Sequence, residues 1–165
     1  MSILKVDTIN EKTTGNGVYV PGHIVQVQHA NITHSSDFTV TTANTWTDIG
    51  LSDAITPVST NSKVIVTVHF AFRILHTTAN QIMRGGFRVL RGSTTVWNTS
   101  NYDEIFQIRE SGTEWNDVMA FRFVDSPATT NATTYKVQGI LKSGTGLRIY
   151  NYTRGGQIIL EELAQ

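Results

Sequence analysis

The 165-residue sequence predicts an all-β fold, an antiparallel β-sandwich head behind a short amino-terminal arm. Three observations carry that expectation. Thr, Ser, Asn and Gly are abundant where Ala and Leu are sparse, and β-branched side chains suit a pleated surface better than a helix. Apolar residues recur with a period of two in segment after segment. Between those segments stand glycine-bearing turn signals, Arg91-Gly92-Ser93, Ser143-Gly144-Thr145-Gly146 and Arg154-Gly155-Gly156, where positive φ is cheap. A chain of this length buries roughly 70 % of its unfolded surface and so holds one core without staples.

Taken in order, residues 1–22 form the arm. Ile3, Leu4, Val6 and Ile9 precede the breaker cluster Thr13-Thr14-Gly15-Asn16-Gly17, then come Val18 and Val20, and Pro21-Gly22 closes the segment. Two short apolar runs around a glycine turn cannot cover themselves, so they must pack on the head, on other copies or on another protein. Residues 23–165 form the head. Its first strand covers 23–30. The clearest strand covers 64–74, with Val64, Val66, Val68, Phe70, Phe72 and Ile74 on a wholly apolar face directed to the core. Its second face mixes Ile65, Ala71 and Leu75 with polar residues, as a surface covered by another layer or by another subunit would. Further strands follow at 87–90, 94–97, 115–124, 135–141 and 147–152. Residues 157–163 read as a final strand rather than a helix, because Ile158 and Ile159 directly follow Gly155-Gly156. Pro57 and Pro127 fall in polar loops, where a missing N–H costs nothing.

Charge and residue usage narrow the function. Thirteen Lys plus Arg balance thirteen Asp plus Glu, so the chain lacks the basic footprint of a nucleic-acid or anionic-membrane binder. With no Cys, thiol nucleophiles, disulfide frameworks and Cys-ligated zinc are excluded. No apolar run approaches the ~18–20 residues that cross a bilayer, and Lys5, Asp7, Glu11 and Lys12 make the amino terminus too polar for a signal peptide. Charged residues are only 16 % of the chain. That leaves an isolated monomer little colloidal repulsion, which suits a subunit of an assembly.

Several stretches together resemble a family: SILKVDTI at 2–9, GNGV at 15–18, PGHIVQVQ at 21–28, GLSDAITPVSTNSKVIV at 50–66, LRGSTTV at 90–96 and IILEELAQ at 158–165. They are similar to small tail-fibre and fibre-like virion structural proteins of tailed phages of the marine and cyanobacterial type. The resemblance implies a homotrimer with β-sandwich, jelly-roll-like heads. It implies partners among the tail or capsid proteins, a place in the virion after synthesis in the host cytoplasm, and contact with a host surface glycan or protein. It brings no cofactor, nucleic acid or membrane insertion. Ile3, Leu4, Val6, Ile9, Val18 and Val20 would then meet around an axis. The chain lacks the repeat shaft of long fibres, so a short fibre, a fibre tip or a capsid decoration trimer all fit.

Catalytic and metal chemistry find little footing. His23 and His29 share a face of one ideal strand but stand roughly 20 Å apart, too far to share a metal. Only a symmetry axis could gather His23, His29, His34, His69 or His76, and a lone strand histidine is ordinarily a satisfied polar residue, so no metal is expected. Asp103-Glu104 and Glu161-Glu162 point to opposite sides of their strands, while Glu110, Glu114 and Asp117 flank a polar loop. The expectation is therefore no enzyme, with a glycan-degrading tip as the minor alternative. Binding is better supported. Trp97, Asn101, Tyr102, Arg109 and Trp115, joined by Tyr150 and Tyr152, combine aromatic faces with amide and guanidinium donors near hairpin ends, a mixture that holds sugars or protein partners.

Overall fold

A computed structural model of the chain describes residues 8, 10, 20–98, 106–109, 111–151 and 155–165. Every regular element in it is a strand. They are β1 (Ile24–Asn31), β2 (Phe38–Val40), β3 (Thr47–Ile55), β4 (Lys63–Leu75), β5 (Ile82–Arg91), β6 (Thr94–Asn98), β7 (Phe106–Arg109), β8 (Glu114–Asp125), β9 (Thr133–Ser143), β10 (Gly146–Ile149) and β11 (Gln157–Leu163). The 157–163 assignment holds to the residue, and β4 extends the anticipated strand by one residue at each end.

The strands form two sheets that pair only antiparallel. In the first sheet β4 is central. β8 runs along one side of it from Val64 to Leu75. On the other side β11 pairs with Lys63–His69 and β10 with Phe72–Leu75, so the two behave as one broken strand. β1 lies outside β11, and β2 outside β10. The second sheet runs β3-β9-β5, and β6 and β7 share the far side of β5. The pairing is nested: β1 with β11, β3 with β9, β4 with β8, and β5 with β6 and β7. This is one long hairpin rolled into two facing sheets, the jelly-roll arrangement.

The core lies between the sheets. From the first sheet come Val64, Val66, Val68, Phe70, Phe72 and Ile74 of β4 with Ile158 and Leu160 of β11; from the second come Phe87, Val89, Tyr135 and Val137, all essentially without solvent contact. Phe87 clasps the layers, its ring edge-on to Phe70 at 4.8 Å and to Phe72 at 5.2 Å between centroids. Such T-shaped pairs add to the burial term. Glu161 and Glu162 diverge as alternation requires. Glu161 pairs with Arg122 on the outer face, whereas Glu162 is fully buried and accepts hydrogen bonds from Val58 N and Gln26 Nε2.

Three expectations change. A register shift between Ile24 and Gln26 breaks the two-residue phase of β1, so the ideal strand that put His23 and His29 on one face is not the strand that forms. The strand anticipated over 147–152 ends at Ile149. Residues 87–90 prove to be the end of a longer strand that begins at Ile82 and runs through Gly85 and Gly86. Of the arm residues, Ile3, Leu4, Val6, Ile9 and Val18 lie outside the described residues, and Val20 is half-buried. The root of the arm is tied to the last strand: Gly22 N donates to Ala164 O at 2.8 Å and Ala164 N to His23 O at 2.9 Å.

Candidate binding surface

Of the sequence-predicted contact residues, Trp97 and Trp115 fall in one cluster and Tyr150 in a second. The first lines the opening between β8 and the β6–β7 side of the second sheet. β8 is the outermost strand of its sheet, so its inward side chains Trp115, Met119, Phe121 and Phe123 are only half-buried. Trp97, near the end of β6, stacks on Phe121 with centroids 3.8 Å apart and rings within 5° of parallel. Trp115 lies edge-on to Phe72 at 6.0 Å and 6.3 Å from Phe106. Phe106 reaches that place because residue 85 is glycine: a Cβ there would sit 2.7 Å from Phe106 Cζ and 2.8 Å from the Ile140 carbonyl. The two tryptophans therefore share one opening but not one spot. Trp97 sits against Phe121, six residues along β8 from Trp115, or ~20 Å. Arg109 is exposed at the end of β7, and Asn101 and Tyr102 lie outside the described residues.

The second cluster sits on the outer face of the first sheet, toward the Leu75 end of β4. Arg73 Nε donates to Asn116 Oδ1 at 2.8 Å and to the Tyr150 hydroxyl at 2.9 Å, and its Nη1 donates to Glu114 Oε2 at 2.8 Å. The Tyr150 hydroxyl in turn donates to Asn116 Oδ1. The guanidinium lies 5.6 Å from the Tyr150 ring centroid, a cation–π distance. The bond to Tyr150 pushes the Arg73 guanidinium above its ordinary range against partial desolvation, with Glu114 and Asp37 adding to it. Tyr150 itself is 7 % exposed, so it fixes Arg73 rather than offering a free ring face. Ala71, Arg73, Asn116, Asp117, Val118 and Tyr150 line a shallow depression of about 480 Å³. Its lining sets amide, guanidinium and carboxylate groups beside the edge of the Tyr150 ring. Tyr152 lies outside the described residues.

Arg73 is the participant that a search of hairpin ends overlooks. The signal was the outward phase of β4, which carries it beside Ala71 and directly opposite Asn116 of β8. Of the acidic groups considered for hydrolysis, Glu114 is committed to Arg73, Asp117 lines the depression, and Asp103, Glu104 and Glu110 lie outside the described residues.

The two ends of β4 differ. Lys63 neighbours Leu163, which faces Ile24, beside the root of the arm. Arg73 and Leu75 at the other end meet Asn116 and Glu114. Ten residues separate Lys63 from Arg73, so arm root and depression stand ~33 Å apart along the sheet.

No protein-family model matches the chain, and no curated protein matches it. Among solved structures the chain is similar to the 2.6 Å structure of infectious bursal virus derived T=1 particles, with a TM-score of 0.44 and 14 % identity over 84 % of this chain and 36 % of that one. It is also similar to the structure of the infectious bursal disease virus Gt strain, with a TM-score of 0.40 and 10 % identity over the same shares. The chain thus spans 36 % of the length of either protein. Likeness at this level is one of loose architecture and carries no functional argument.

Proposed function

We propose that this chain is a virion structural subunit, a homotrimeric tail-fibre or fibre-like protein of a tailed phage that contributes to host attachment and is not an enzyme. The observation that carries the reading is the polarity of the head: the arm root lies at one end of β4 and the hydrogen-bonding depression at the other. A fibre head needs that separation, because one end must face the particle while the other meets the host. The resemblance of both termini and the intervening stretches to small phage fibre proteins supports the same reading. The jelly-roll scaffold recurs in viral and lectin domains, which is an analogy of fold.

The test is location and competition. Labelled antibody on intact particles should decorate the tail, and the purified full chain should compete with phage for adsorption to host cells. Label confined to the capsid would favour a decoration protein, and failure to compete would remove host attachment. Release of reducing sugar from host polysaccharide by the purified chain would overturn the non-enzymatic assignment.

A further inference from the structure

The depression on the outer face of the first sheet holds hydrogen-bonding groups that the fold orients and does not use. Arg73 is fixed through Nε and Nη1 by Asn116, Tyr150 and Glu114, and its Nη2 has no partner among the described residues. Asn116 Oδ1 accepts from both Arg73 Nε and the Tyr150 hydroxyl. That double acceptance settles which end of the amide is the oxygen, and Nδ2 is left as an unspent donor. Asp117 Oδ1 accepts from Val118 N at 2.7 Å, and Oδ2 is left as an unspent acceptor.

Beside these two donors and one acceptor lies an apolar patch. Val118 is 63 % exposed and stands opposite Ala71 across the β4–β8 pair, and both line the depression. A pyranose ring divides in the same way, into a C–H face and a rim of hydroxyls that each donate and accept. Groups already held in place bind such a rim with little further ordering cost. The charge of the lining narrows the ligand. The Arg73 guanidinium is answered by Glu114 at 2.8 Å, with Asp37 acting on it as well, whereas Asp117 has no cationic partner among the described residues. Arg148 stands opposite Arg73 on β10, on the side away from β8, and does not line the depression. An acidic sugar would therefore set its carboxylate against Asp117 with no unanswered cation in the lining to offset it.

We propose that the depression takes an uncharged saccharide through a vicinal diol. Arg73 Nη2 and Asn116 Nδ2 donate to the two hydroxyls, Asp117 Oδ2 accepts from one of them, and the C–H face of the ring rests on Val118. The inference rests on the attachment reading above and names the ligand class of the same site. Its volume of about 480 Å³ falls within the about 300–1,000 Å³ of small-ligand sites.

Binding of the fluorescently labelled full chain to host cells tests it. Cells treated with periodate, which cleaves the bond between vicinal hydroxyls, should lose that binding, and excess alginate, a polyuronate, should not displace the chain from untreated cells. Two variants at exposed positions test the site. Asn116→Asp keeps an oxygen for Arg73 and Tyr150 and removes only the Nδ2 donor, and Asp117→Ala removes the acceptor. With melting unchanged, each should weaken binding about tenfold, the effect of one lost hydrogen bond of this kind. Binding that survives periodate, displacement by alginate, or wild-type binding by both variants overturns the saccharide site while leaving attachment in place. A wild-type chain that does not bind untreated cells removes the attachment reading and this inference with it.

Discussion

Phe87 joins the two sheets through its ring contacts with Phe70 and Phe72, so Phe87→Ala measures the sandwich itself. The ring has no solvent exposure and packs edge-on to Phe70 and Phe72 from the opposite sheet. Truncating a buried Phe to Ala costs about 3–5 kcal/mol through lost transfer energy and the cavity left behind, and two edge-to-face pairs add about 0.5–1.5 kcal/mol each. The sum is about 4–6 kcal/mol, since part of the ring energy is already within the first figure. For a chain of this size that lowers Tm by roughly 10–20 °C. Phe87→Leu keeps most of the volume and loses only the ring geometry, so it should cost about 1–3 kcal/mol. Urea unfolding at fixed protein concentration is the assay, because assembly would make Tm concentration-dependent. A Phe87→Ala cost below about 1.5 kcal/mol, inside the range of a surface substitution, would refute the two-layer packing.

Three further outcomes follow from the same geometry. Gly85→Ala forces a Cβ to 2.8 Å from the Ile140 carbonyl, which should cost about 1–3 kcal/mol and raise the solvent accessibility of Trp115 in fluorescence quenching; an unchanged midpoint would contradict the fit around Phe106. A chain ending at Gly155 lacks β11, which lies between β1 and β4 and buries Ile158 and Leu160, so it should be insoluble, and soluble expression with normal melting would speak against the strand order. Asp48 is held below the ordinary carboxylate range: burial pushes it up, but hydrogen bonds from Gln138 and Lys136 and the charges of Lys136 and Arg88 outweigh that. Because its folded pKa lies below the unfolded one, its contribution is full above about pH 4 and fades as the pH falls through the folded value. The gap in stability between wild type and Asp48→Asn should therefore be constant near neutrality and close in acid; a gap that widens in acid would reverse the assignment.

β4 and β11 were legible because one face of each is buried, as the apolar row from Val64 to Ile74 shows. Missed were β2, β3 and β7, each for a physical reason. β2 spans only three residues and β7 only four, too short for a period to register. β3 carries Asp48, Asp53 and Gly50 at φ +73, with a register shift between Asp48 and Ser52, so its composition reads as a loop although Ile49, Leu51 and Ile55 are buried. Gly85, which no turn signal or period marks, leaves the space into which the Phe106 ring fits. The candidate surface was legible in its residue types and not in its grouping. Trp97 meets Phe121 only because the hairpin rolls the chain so that β6 faces β8, and Arg73 meets Tyr150 from 77 residues away. Contacts of that range are set by topology, which no local pattern encodes.

The proposed function has this chain assemble with copies of itself. The solution mass of the purified full-length chain by light scattering tests it most directly. A homotrimer gives three chain masses in one monodisperse species; a monodisperse species of one chain mass at the same concentration would contradict it.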